Sequence, residues 1–209
     1  PINAPLASVY SAVYTFFAQI GSHGVPINDG SYRPIRVVTR RGSICEPIFP
    51  APVRSRMATC YRLLTTLKRA FGEALPELVA AAGDDSTNSV AFGYRHDGGY
   101  EVYHEVIGGG NGATCRGDGE DGIAQGLSNT ANTPIESLEV EYDFVRVASY
   151  GLIPDSGGAG RHRGGLGIRK TFEIVKPGVT LSTAGDRHAT PPWGLAGGGA
   201  GSLSLYRLM

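Results

Sequence analysis

Glycine is the residue that most limits what this chain can become. Thirty-one of its 209 residues are glycine, about twice the ordinary share of roughly 7%. They gather at Gly108 to Gly112, Gly157 to Gly167 and Gly197 to Gly201. Glycine weakens helix and strand interiors, but it lets one backbone come close to another backbone or to a ligand. These stretches are therefore expected as loops that divide the second half of the chain into short strands. Their flanking residues differ, so they are not an internal repeat.

The segments between them carry clear periodicities. Asn3 is expected to cap a first helix, with Pro5 in its first turn, where a missing N–H costs nothing. Leu6, Val9, Tyr10, Val13, Phe16 and Phe17 recur at spacings of three and four up to Gly21, which marks one buried helical face. Asn28-Asp29-Gly30 reads as a tight turn, Ile35 to Thr39 as a short strand, and Pro47, Pro50 and Pro52 as an extended connector. Leu63, Leu64, Leu67, Ala70, Phe71 and Leu75 define a second helix from about Ser55 to Leu75. Asp84 to Ser89 is a loop. Val90 to Tyr94 and Tyr100 to Ile107 then form a hairpin around Asp97-Gly98-Gly99, with Tyr103, Glu105 and Ile107 facing away from Val102, His104 and Val106. Leu138 to Tyr150 reads as one long strand, followed by strands at Ile168 to Val175, Val179 to Thr183 and Leu203 to Leu205. The fold class is α+β: two packed helices, then a β-rich, glycine-loop-rich C-terminal half. A break near residue 130 would give a mixed region over 1–130 and a β-rich region over 131–209.

Charge and composition exclude several functions. The 19 basic residues balance the 19 acidic ones, so there is no basic footprint for nucleic acid. Hydrophobic residues at 41% and charged residues at 18% fit neither a disordered tail nor a membrane bundle, and no apolar run reaches the roughly 18–20 residues of a membrane span. Cys45, Cys60 and Cys115 are odd in number and contain no CxxC pair, so a reducing cytoplasm is expected. The basic residues comprise 16 Arg and only Lys68, Lys170 and Lys176. A GC-rich coding bias would explain this excess; so would a need for guanidinium forks that recognise carboxylate or phosphate. The abrupt beginning at Pro1, the lack of a leader, and the end at Leu205 to Met209 suggest a piece of a longer chain.

Standard catalytic signatures are missing. There is no Walker A pattern and no GxSxG elbow, and Gly158-Ala-Gly160-Arg-His-Arg163 lacks the third glycine of a dinucleotide fingerprint. His23, His96, His104, His162 and His188 show no metal-ligand spacing, so no metal site is assigned to this chain. Two polar stretches remain. Asn129-Thr-Ala-Asn132-Thr-Pro-Ile-Glu136 is either a turn whose Asn side chains bond their own backbone or a substrate contact. Asp155-Ser-Gly-Gly-Ala-Gly-Arg-His-Arg-Gly-Gly-Leu-Gly167 places two arginines among six glycines. Either Arg161 and Arg163 pair with internal acids, or they and the loop N–H groups meet an anion.

Those two stretches resemble the hydantoinase B/oxoprolinase family. Asn3-Ala-Pro-Leu, Pro26-Ile-Asn28-Asp-Gly30, Arg33-Pro-Ile35, Tyr103-His-Glu105-Val-Ile-Gly-Gly-Gly110-Asn-Gly-Ala113, and His188 with Pro192-Trp-Gly-Leu-Ala-Gly-Gly198 are similar to family segments in the same order. Where hydantoinases carry a Gly-Asn-Val-Glu-Thr-Ser type sequence, this chain has Arg54-Ser-Arg-Met-Ala-Thr-Cys60, which suits a divergent branch such as a ketone carboxylase or a lactamase relative.

The resemblance implies the C-terminal part of a cytoplasmic B-type subunit in a hetero-oligomer. A hydantoinase A-type partner would bind ATP with Mg and phosphorylate an oxygen of a cyclic amide (hydantoin, oxoproline or lactam), a ketone or bicarbonate. Any divalent metal would sit in the N-terminal half of the longer subunit. Gly109, Gly110, Asn132, Glu136, Asp155, Arg161 and Arg163 are the expected substrate or phosphate contacts, with catalytic residues unassigned. Lactam hydrolysis and ketone carboxylation both remain open. The competing reading is a non-catalytic assembly module whose glycine loops pack against other subunits. Whether the glycine–arginine loop lines a cavity or a contact separates the two.

Overall fold

A computed structural model describes residues 2–21, 24–124, 126–128, 130–131 and 133–209. Helix α1 (Leu6–Ile20) starts after Pro5, which occupies the cap position without a side-chain bond. The expected cap, Asn3, instead donates its side-chain N–H to the Pro52 carbonyl at 3.2 Å. Val9, Ala12 and Phe16 form the buried stripe of α1. The turn at Asn28 is one helical turn, α2 (Asp29–Tyr32), capped by the Asn28 side chain accepting from the Ser31 N–H. Residues 35–39 form no strand: Arg36 to Thr39 alternate in exposure but have no paired neighbour to complete a ladder.

Helix α3 (Arg56–Gly72) packs on α1. Phe16, Leu64 and Val79 are the centre of that contact, with the Phe71 ring tilted 5.0 Å from Phe16 and edge-on 5.6 Å from Phe17. Burying each such side chain contributes roughly 1.5–3 kcal/mol. The polar edge of α3 is also buried: Thr65 bonds back to the Tyr61 carbonyl, and Lys68 points to an acid outside the helix. Gly72 lets Leu195 close on the end of α3, since a Cβ there would lie 2.8 Å from the Leu195 side chain.

The hairpin forms as expected. Strands β1 (Asn88–His96) and β2 (Gly99–Ile107) are antiparallel, with Phe92 opposite Tyr103. Tyr103 and Glu105 are buried while Val102 is half exposed, so the two residue sets of β2 do face opposite ways.

The stretch 138–150 is not one strand. It is a short helix, α4 (Ile135–Glu141), a turn, and then β3 (Val145–Leu152). Its apolar alternation misleads because Val140 is 87% exposed and only Leu138 of α4 is buried. Strand β4 (Ile168–Ile174) pairs antiparallel with β3, and β5 (Thr180–Ala184) pairs antiparallel with β1. The sheet of order β2-β1-β5 thus draws strands from both sides of residue 130. Residues 203–205 form no strand.

A second core joins the two sheets. Val90, Phe92, Tyr103, Leu138, Phe144 and Val145 form its buried centre. Phe92 meets Phe172 edge-on at 5.1 Å. Lys170 of β4 places its ammonium 2.8 Å from both oxygens of Glu105 on β2, with both side chains almost fully buried. Tyr103 donates to the same carboxylate at 2.6 Å. Burial and then that Glu105 contact raise the phenol pKa. No helix among the described residues is long and apolar enough to cross a membrane.

Candidate functional site

The three glycine clusters come together. The Gly165 N–H donates to the Asn111 carbonyl at 2.8 Å, and the Gly199 N–H donates to Ala159 at 2.7 Å. The first cluster therefore holds the second, and the second holds the third. No side chain fits at these joints: a Cβ on Gly110 would lie 1.9 Å from the Gly165 oxygen, and one on Gly158 would lie 2.3 Å from the Gly199 oxygen.

The interlocked loops, β4 and residues 192–209 enclose a cleft of about 2030 Å³. That exceeds the roughly 300–1,000 Å³ of a small-ligand site, so polar groups on the wall, not volume, mark where chemistry can occur.

The wall carries more positive charge than the chain as a whole. Arg161, Arg169, Lys170, Lys176, Arg187 and Arg207 line it, against only Asp84 and Glu173. Lys170 is neutralised by Glu105, Lys176 by Asp143, and Arg187 lies 3.6 Å from Asp85. Arg161, Arg169 and Arg207 make no ion pair to a described residue. In a chain of zero formal charge, this concentrates positive potential in one place.

At one end of the cleft lies a buried ionic cluster. The segment Ala82 to Ser86 is buried, held by backbone bonds from Ala82 N–H to Trp193 O and from Asp84 N–H to Gly110 O. Asp85, at φ 42, receives the Lys68 ammonium at 2.8 Å and the Gly83 N–H at 3.0 Å. The buried Arg187 guanidinium donates to the carbonyls of Asp84 and Gly83, each at 3.0 Å. Arg62 pairs with Asp186 at 2.9 Å and donates to the Asp85 carbonyl. Three cations thus face three carboxylates.

Asp84 differs from its neighbours. Its Oδ1 accepts from the Asn88 side chain at 2.8 Å, while its Oδ2 is buried without a hydrogen-bond partner. Burial, and next the Asp85 carboxylate, push its pKa up to about 6 against the pull of Arg187, Asn88 and Arg62.

The residues singled out from sequence divide. Gly109, Gly110 and Arg161 line the cleft; Asp155, Arg163 and Glu136 do not. The Gly109 N–H is already bonded to the Ile123 carbonyl at 3.1 Å, so it is committed within the fold. Arg163 grips Asp121 with two bonds, of 2.8 and 3.1 Å, and its backbone N–H donates to Asp118 at 3.0 Å. The internal-acid pairing therefore holds for Arg163 and not for Arg161. Asp155 is exposed at φ 58, and Glu136 is exposed in the first turn of α4. Asn132, like Asn129, lies outside the described residues.

Sequence reasoning left Asp84 in an unremarked loop. The available signal was an acid pair directly after the apolar run Val79 to Ala82, where charge is out of place unless partnered.

The family model of hydantoinase B/oxoprolinase matches residues 1–207. A protein of Pseudomonas sp. (strain NS671), provisionally named as the B-type subunit of a D-/L-hydantoinase, is 33% identical to this chain, covering 98% of it and 36% of its own length. The 5-oxoprolinase of Dictyostelium discoideum is 32% identical, covering 94% of this chain and 15% of that protein. In fold, a nucleotide-free acetone carboxylase structure superposes with a TM-score of 0.75 at 22% identity, over 97% of this chain and 28% of that one. The chain spans only a part of each.

Proposed function

The chain belongs to the hydantoinase B/oxoprolinase family, and on that premise we propose that it supplies the cleft-bearing part of a B-type subunit that opens a cyclic amide through a phosphorylated intermediate. One observation carries the reading: three arginines on the cleft wall, Arg161, Arg169 and Arg207, make no ion pair to a described residue in a chain of zero formal charge. A phosphorylated amide is anionic and must be kept from bulk water while donors stabilise the charge that develops on it. Arg161, without an acid partner and on the wall, is the guanidinium proposed to meet it. The glycine–arginine loop lines a cavity, which favours a catalytic part over an assembly module. The relatives named as a hydantoinase component and a 5-oxoprolinase favour amide opening over ketone carboxylation.

In this reading a hydantoinase A-type partner provides ATP and Mg within a hetero-oligomer. Among the described residues no three His, Cys, Asp or Glu side chains form a group that could hold a metal ion. The test is ATP hydrolysis by the full-length subunit with its partner, stimulated by hydantoin, by 5-oxoproline, or by acetone with bicarbonate. The proposal expects stimulation by an amide, independent of bicarbonate. Stimulation only by acetone with bicarbonate would replace it with carboxylation.

A further inference from the structure

Beside the cleft lies a second hollow, and Arg187 and Trp193 line both. Its volume, about 370 Å³, is that of a small-ligand site, roughly 300–1,000 Å³. We propose that this hollow, between α3 and the segment after β5, binds a small oxyanion, a phosphate or a carboxylate. The inference goes beyond the proposed function and does not depend on it.

The wall carries three guanidinium groups, Arg62, Arg69 and Arg187, against one carboxylate, Glu73. Arg62, Thr65, Thr66, Arg69 and Glu73 follow one another at helical spacing, so one face of α3 supplies them. Arg187, Thr190 and Trp193 close the hollow from the other side. Glu73 is exposed, and its charge is screened by water.

The donors differ in what they have left to give. Arg62 is spent on Asp186 and on the Asp85 carbonyl. Thr65 and Thr66 donate their hydroxyls back into α3. Arg69 is free: its guanidinium stands 5.9 Å from the centre of the Trp193 ring, with no ion pair or side-chain hydrogen bond to a described residue. Arg187 is only 2% exposed, with Nε and Nη2 held by the Asp84 and Gly83 carbonyls. Its Nη1 has no partner among the described residues, yet it is not one of the sealed, unpartnered atoms, as Asp84 Oδ2 is. Nη1 therefore opens to a hollow. The Trp193 indole N–H and the Thr190 hydroxyl are likewise uncommitted among the described residues. Burial, and then the Arg62 guanidinium, push the Arg187 pKa down, so its charge is incompletely compensated, and an anion would relieve that deficit. Guanidinium forks suit the paired oxygens of carboxylate and phosphate.

The experiment is equilibrium dialysis of the full-length subunit against radiolabelled inorganic phosphate and, separately, acetate, at fixed ionic strength in chloride. Saturable binding of at least one probe is expected; phosphate alone identifies a phosphate site, acetate alone a carboxylate site, and either supports the proposal. Arg69→Ala should weaken that binding at least about 10-fold, the scale of one charged hydrogen bond. Arg69→Lys keeps the charge without the fork and should weaken it less. Arg161→Ala, on the cleft wall, should leave the same component within about twofold, as distant independent sites do. Binding that Arg161→Ala removes and Arg69→Ala does not would put the anion in the cleft and overturn this site, leaving the proposed function standing. Binding of both probes that rises linearly without saturating overturns it too.

Discussion

Asp84 and Gly109 share a space that admits no further atom. A Cβ on Gly109 would lie 2.6 Å from the Asp84 Cβ and 3.2 Å from its Oδ2. The aspartate comes just before β1 and the glycine just after β2, and the first ladder pair, Asn88 with Ile107, brings both to the same end of the hairpin. The loop after the hairpin is glycine here because the acid before it needs the room.

Gly109→Ala should therefore cost about 1–3 kcal/mol, as overpacking does, and should displace Asp84. Gly117→Ala, where no atom lies within 4 Å, should unfold at the wild-type denaturant concentration. A pair of urea titrations compares them.

Arg161 and Arg163, two residues apart, should separate in their effects. Arg163→Ala loses an exposed bidentate pair with Asp121 and should lower the unfolding temperature only slightly, since water screens such pairs. Arg161→Ala should leave stability unchanged and raise KM for the amide about 10-fold, the scale of one charged hydrogen bond. Steady-state kinetics beside thermal unfolding distinguishes the two.

Lys170→Met strands the Glu105 carboxylate in the second core and should destabilise by about 3–5 kcal/mol. Lys170→Met combined with Glu105→Gln removes the stranded charge and should recover a large part of that loss. Equal destabilisation in the single and double variants would remove the pair from this account of sheet docking.

Asp84 also sets a pH dependence of stability. Its folded pKa, about 6, lies above the ordinary 3.8, so the folded state holds the proton more tightly than the unfolded chain. The contribution is fully present below pH 3.8 and is lost as pH rises through 6, by about 3 kcal/mol in all. Asp84→Asn should lack this loss, which a series of urea midpoints from pH 4 to 7 would show as a flatter curve.

Much of the fold was legible in the chain. The stripes of α1 and α3 and the alternation of β2 are periodic, and periodicity reports directly on burial. The stretch 138–150 was not, because Val140, Tyr142 and Phe144 alternate as a strand would, while Pro134 and the acids Glu136, Glu139 and Glu141 open a helix there. The strand expected at 35–39 failed for want of a partner, which no local pattern reveals. The glycine clusters marked the cleft correctly as loops. What they could not show is that Gly158 would rest on Gly199, or that Arg187 would seat beneath Asp84 from 103 residues away. A residue's role in this site comes from long-range contacts, and Asp84 has no local signature beyond its neighbour.

The central claim is that the cleft acts on an amide whose oxygen carries a phosphoryl group. It is tested most directly by opening 5-oxoproline or hydantoin labelled with ¹⁸O in the amide carbonyl, using the full-length subunit, its partner and ATP. In the account, water then attacks the acyl carbon of the resulting acyl phosphate and the C–O bond to phosphate breaks, so the label leaves in inorganic phosphate, one atom per turnover. Ring opening with unlabelled phosphate, all ¹⁸O remaining in the organic product, would contradict it.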